Sequence, residues 1–260
     1  MNNLFTLRNM ALAASLMTFS FASLATETTS WNFQTSNGQS DQWGNGAFFG
    51  NEMDFSADGI ELNITAWADT DEISGDDKIE EAAVSRNGSG LLNYNRNYNE
   101  TDSHGDRLDG HYVDNSIDTD MLLFTFDDLV SITGINIGYY NNDSDITIAA
   151  FDSSNSAPIL DGKTWAQVAQ DAIFKASFND IGNGTSFAGL TADVGIESKY
   201  WVIGAYNSAF GSAGDNEKDY LKIAGITTVA GLESTPKPPT SDVAEPSSLA
   251  ILASFGLFAV

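Results

Sequence analysis

"MLLFTFDDLVSITGINIGYYNNDSDITIAAF", residues Met121 to Phe151, decides the fold class of this chain. Its opening run, Met121 to Phe126, is apolar on both faces, as a short central strand would be. Val130 and Ile132 then alternate with polar neighbours. Ile135, Ile137 and Tyr139 resume the alternation out of phase, so a bulge or bend is expected near Gly134. The cluster Asn141 to Asp145 reads as a turn, and Asp145 to Phe151 alternates once more.

Working outward, the same texture recurs. "GIELNITAWA" (Gly59 to Ala68) places Ile60, Leu62, Ile64 and Ala66 on one face at period two. "YWVIGAY" (Tyr200 to Tyr206) and "YLKIAGITTV" (Tyr220 to Val229) read as late strands, separated by the turn cluster "GSAGDNEKD". Residues Asp69 to Gly110 are rich in Asp, Asn, Gly and Glu, so long loops are expected there, with short strands at Lys78 to Val84 and Leu91 to Tyr94. Many short strands joined by such turns predict a mainly β chain, a single β-sandwich or jelly-roll-like domain over residues 26–231. One stretch departs from the pattern. In "TWAQVAQDAIFKA", Trp165, Val168, Ala169, Ala172 and Ile173 follow helical spacing, and Thr164 with Gln167 fits a capping box. The spacing predicts one amphipathic helix over about 165–175, packed on the sheet.

Composition narrows the function. The 260 residues carry 36 acidic and 11 basic side chains, a net charge of −25. Such a surface repels phosphate backbones, which argues against a nucleic-acid partner, and suits either an extracellular setting or divalent cations. There is no cysteine, so disulfides, thiolate metal sites and cysteine nucleophiles are excluded.

The two ends carry targeting signals. "MNNLFTLRNMALAASLMTFSFASLA" has Arg8 ahead of an apolar run and small residues at Ser23 and Ala25, the pattern of a signal peptide over residues 1–25 cleaved after Ala25. That predicts passage through the Sec export machinery and signal peptidase. Residues 232–242 form a Pro-rich extended spacer. Residues 243–260, "VAEPSSLAILASFGLFAV", end in an apolar run shorter than the roughly 20 residues of a spanning helix.

Signal peptide, domain, spacer, "EPSSLAIL" and apolar run together resemble the PEP-CTERM class of exported bacterial proteins. Val243, Glu245, Pro246, Ser247 and Ser248 stand in register with that class's Val-Pro-Glu-Pro-Ser-Ser motif, with Ala244 in place of the first proline. The run stops at Val260 before an Arg cluster, so a truncated signal is expected. The resemblance implies recognition by an exosortase, transient anchoring in the inner membrane and delivery to the cell surface or extracellular matrix of a Gram-negative bacterium. "WNF", "ITAWADT", "HYVDNS", "LLFTFDDLVSITGINIGYYNNDSDITIAAF", "YWVIGAYN" and "DYLKIAGI" further resemble the exosortase-dependent surface proteins. That family implies surface location, association with extracellular polysaccharide and no established catalysis.

The acid-rich centre holds the candidates for chemistry. Asp114, Asn115, Asp118 and Asp120 in "GHYVDNSIDTD", with Asp143 and Asp145 in "NNDSD", are candidate ligands for a structural Ca²⁺, which takes 6–8 oxygen ligands. The alternative is solvated turns in which Asp and Asn cap their own backbone. Neither stretch has EF-hand spacing. The run Ala68 to Lys78 reads as a solvated loop. His104 and His111 define no zinc set, and no Gly-x-Ser-x-Gly elbow is present. Paired carboxylates for glycoside hydrolysis cannot be singled out among so many acids. Trp31, Trp67 and Trp201 are expected in the core, and Trp43 on the surface as a sugar-stacking candidate. The expectation is a non-catalytic surface protein. Its alternative is a secreted glycan-active enzyme or carbohydrate-binding module.

Overall fold

The computed structural model describes residues 28–34, 39–40, 51–70, 77–94, 111–116, 118–182, 195–212 and 217–231. Its elements are β1 (Thr28–Asn32), β2 (Gln39–Ser40), β3 (Glu52–Ala57), β4 (Ile60–Ala68), β5 (Glu80–Asn87), β6 (Gly90–Tyr94), β7 (Val113–Asp114), β8 (Asp120–Asn142), β9 (Ile146–Phe151), α1 (Trp165–Asp171), β10 (Ala172–Phe178), β11 (Ser198–Ala205) and β12 (Asp219–Ala230). The signal peptide, Trp43, His104, the spacer and the sorting motif lie outside the described residues.

The hub is β8. The sequence reads as separate strands on either side of Asp127, but the backbone runs through as one strand of 23 residues. Its first half pairs with β4 and β11, for example Phe124 with Ile64 and with Trp201. Its second half pairs with β12, as in Ile135 with Ile226. The bulge expected at the phase change is present: Gly134 pairs Thr227, and the next matched pair is Ile132 with Thr228. β12 pairs on to β6, β6 to β5 and β5 back to β4, all antiparallel. The five strands β4, β5, β6, β12 and β8 thereby close into a barrel, to which β11, β9 and β10 add on one side, β3 and β2 on another, and β1 and β7 on β12. The described strands thus show the expected mainly β chain with one helix, in the form of a closed barrel with added strands, and do not confirm a sandwich or jelly roll. A strand long enough to serve two partners in succession leaves no free edge among the five barrel strands, while β10 and β2 end the added ones.

Alternation along the strands fills the barrel. Leu62, Ile64, Phe124, Ile135, Ile137 and Ile223 belong to one buried cluster, together with Trp31 and Phe33. The indole N–H of Trp31 donates to Thr228 Oγ1 at 2.9 Å, which satisfies its polar atom within the core. β1 comes so close to β12 here that a Cβ on Gly225 would lie 2.3 Å from the Trp31 carbonyl oxygen.

The other face of the sheet forms a second cluster. Met121, Leu123, Ala149, Phe151 and Val202 pack beneath Trp165, Val168 and Ala169 of α1. This is why Met121–Phe126 reads as apolar on both faces: Leu122, Phe124 and Phe126 enter one core, and Met121 and Leu123 the other.

The helix is shorter than its spacing predicts. The capping box is formed, with Thr164 Oγ1 accepting from Gln167 N–H at 3.3 Å and Gln167 Oε1 accepting from Thr164 N–H at 2.9 Å. Ala172 is already extended and opens β10, which pairs with β9. Ile173, expected on the apolar stripe, is 54% exposed. Pairing with β9 outweighs local helix propensity over 172–175, as sheet hydrogen bonds commonly do. No described helix is long and apolar enough to cross a membrane.

Candidate functional site

One end of the barrel gathers acid. Asp143 follows the last residue of β8, Asp145 precedes the first residue of β9, and Asp219 is the first residue of β12. Their positions follow from the pairing. Asp219 faces Asn142 across the β8–β12 ladder, and a bridge joins Asp143 to Asp219. Among the described residues, these three bring carboxylate oxygens within 4.8 Å of one another. All are buried: Asp143 is 7%, Asp145 1% and Asp219 0% exposed.

Backbone amides hold the cluster. Asp145 N–H donates to Asp219 Oδ1 at 2.7 Å, Ser144 N–H to Asp143 Oδ1 at 2.7 Å and Asp180 N–H to Asp145 Oδ1 at 2.8 Å. Asn115 clamps Asp219 from the other side. Its Nδ2 donates to Asp219 Oδ2 at 2.6 Å, and its Oδ1 accepts from Asp219 N–H at 2.9 Å. Burial pushes the Asp219 carboxyl up to about 7, and the charges of Asp145 and Asp143 push the same way. The Asp145 amide and the Asn115 side chain oppose them.

Two physical states can relieve this crowding. Protons can neutralise part of the cluster, because like carboxylates at this range disfavour joint ionisation. Alternatively, a hard divalent cation can draw on the carboxylate oxygens, supplemented by carbonyls and water. Asp143, Asp145 and Asp219 are the residues that could hold it.

The six residues expected as one calcium set are thus sorted into different roles. Asp143 and Asp145 are in the cluster. Asn115 supports it through hydrogen bonds to Asp219. Asp114 accepts from Ser116 N–H at 2.9 Å, the local cap of an Asx turn. Asp120 opens β8 opposite Ala68, outside the gathered group. Asp118 acts on Asp69 instead. Thr119 N–H donates to Asp69 Oδ1. Burial raises the Asp69 carboxyl to about 7, with the charges of Asp118 and Asp77 adding to the rise.

Asp219 escaped sequence reading because it closes the turn cluster "GSAGDNEKD" far along the chain. The available signal was its place immediately ahead of a strand, the same place that Asp145 holds ahead of β9. His111 packs on Tyr94 with ring centroids 4.0 Å apart, so it lies against an aromatic ring. Trp31 and Trp201 are buried as expected, and Trp67 is partly buried against the second cluster. The aromatic rings that do reach the surface include Tyr139 and Tyr140, each 39% exposed. No protein-family model, no curated protein and no solved structure matches this chain.

Proposed function

We propose that this chain is an exported, non-catalytic bacterial surface protein, sorted by an exosortase through the motif at Val243, Glu245, Pro246, Ser247 and Ser248. That motif is the observation that carries the reading. It lies behind a Pro-rich spacer, and the last described strand before the spacer ends at Ala230. Gly231 N–H donates to Leu129 O at 2.8 Å, which ties the chain back to β8 just ahead of the spacer. The acid surface suits an extracellular role.

The non-catalytic part rests on the carboxylates. A glycan-active enzyme needs two carboxyl groups facing a substrate across an open cleft. Asp143, Asp145 and Asp219 are buried, and one oxygen of each accepts from a backbone amide, an arrangement that serves the fold. The test of sorting is the pair of substitutions Glu245→Ala and Pro246→Ala in a cell with an intact exosortase. The wild type should reach the surface with its C-terminal segment removed, and the double variant should accumulate unprocessed in the membrane fraction. Identical processing of both would overturn the reading.

A second reading concerns the rim. Three buried carboxylates within 4.8 Å favour a structural calcium that pins β8, β9 and β12 together. A thermal melt in calcium and in chelator tests it.

A further inference from the structure

The outer face of the barrel carries an aromatic group that neither the sorting motif nor the acid rim uses. Tyr139 of β8 and Lys222 of β12 are direct cross-strand partners, so their side chains share a face. Tyr112, just ahead of β7, joins them. Its ring is 5.9 Å from that of Tyr139 with planes 22° apart, and 5.7 Å from that of Tyr220 in an edge arrangement. Lys222 Nζ stands 4.8 Å from the Tyr112 centroid and 5.5 Å from that of Tyr139. Tyr139 is 39% exposed, and Tyr220 is held by its hydroxyl, which donates to Ser116 Oγ at 2.8 Å.

The charge is the unusual part. In a chain with 36 acids and 11 bases, Lys222 makes no ion pair with a described residue, and its contacts are rings. An ammonium over two nearly parallel phenol rings puts apolar ring surface and a positive charge at one place. A sugar ring is flat and apolar on its C–H face, and an acidic sugar adds a carboxylate at its edge. We propose that Tyr112, Tyr139 and Lys222 form a binding site for a carboxylated pyranose, the uronic-acid unit of an acidic polysaccharide. The ring stacks on Tyr139 and Tyr112, and the carboxylate pairs with Lys222. The net negative charge of the protein does not forbid this. At physiological ionic strength, charges beyond about 8 Å are largely screened, while a contact pair is not. This inference rests on the surface-protein reading for where the ligand is met, and its test is separate from processing of the C-terminal segment.

The experiment is affinity electrophoresis and calorimetry of the exported, full-length protein with polygalacturonate, and with dextran as a neutral control. Polygalacturonate should retard the protein and dextran should not. Lys222→Gln should weaken binding about tenfold and remove its salt dependence, while Lys222→Arg should restore it. Tyr139→Ser should weaken binding by a similar factor. Because Tyr139 is a surface side chain, its variant should keep the wild-type melt. Absence of retardation by polygalacturonate would overturn the proposal, as would wild-type binding by Lys222→Gln and Tyr139→Ser. Binding of dextran that ignores Lys222 would overturn the carboxylate assignment. Failure here with normal sorting would leave the surface-protein reading standing.

Discussion

Ile64 in the barrel interior and Asp219 on its rim are equally buried, both at 0% exposure, yet burial does opposite things to them. The interior is apolar and, among the described residues, carries no titrating group, so removing it from water stabilises the fold at any pH, by roughly 25 cal/mol per Å². The rim holds carboxylates whose burial is unfavourable while they are charged, and whose contribution depends on what neutralises them. One region fixes the shape, and the other should make its stability depend on what neutralises the carboxylates.

The sharpest way to break this comparison is to damage the interior and look for a response to conditions. Phe124, fully buried against Phe33, should lose about 3–5 kcal/mol on truncation to Ala. Denaturant melts at pH 5 and pH 8 should show nearly the same loss. A loss confined to one pH would mean that the interior is not independent of the rim.

The rim itself should respond to pH. Asp219 on the rim, and Asp69 outside the gathered acids beside Thr119, have folded-state values of about 7 against an ordinary 3.8. The folded state therefore binds these protons more tightly than the unfolded chain. Their contribution is fully present below about pH 4 and is lost as pH rises through about 7. In chelator, the melting temperature should fall across that window. A melt that rises steadily from pH 4 to pH 8 would contradict the assignment.

Calcium should act in the opposite sense. At 100 times its Kd, a ligand of the folded state adds about 2.7 kcal/mol. At pH 8 calcium should raise the melt by several degrees. At pH 5 protons compete for the same oxygens, so the rise should shrink. Magnesium should do less, because it gives up its waters reluctantly. Asp143→Asn should abolish the calcium response, and equal melts with calcium and chelator at pH 8 would leave protons as the neutralising agent.

The smallest effect belongs to the capping box, which lies in neither region. Thr164→Ala should cost about 1 kcal/mol at every pH and calcium level. Circular dichroism melts would register it as a uniform shift. A pH-dependent shift would tie α1 to the acids and blur the distinction between interior and rim.

Much of the interior was legible along the chain because it depends on period. Ile60, Leu62, Ile64 and Ala66 alternate, and each is buried. The phase change at Gly134 announced its bulge, and Thr164 with Gln167 announced the start of the helix. These are local facts, set by backbone geometry over a few residues. The residues that share the candidate rim were only half legible. Asp143 and Asp145 stand out in "NNDSD", but Asp219 lies 74 residues beyond Asp145 and belongs with it only because β12 pairs with the end of β8. The end of α1 was lost for a similar reason, since pairing with β9 decides where β10 begins. Tyr139 and Lys222 became neighbours through register alone. The amino-acid order by itself determined the β class, the acidic surface, the absence of cysteine chemistry and most strand positions. Tertiary structure decided that β8 runs unbroken between two sets of partners, that five strands close into a barrel, and that the distant Asp219 joins Asp143 and Asp145 on its rim. Closure and convergence are long-range events, chosen by which edges find each other, and no local period encodes that choice.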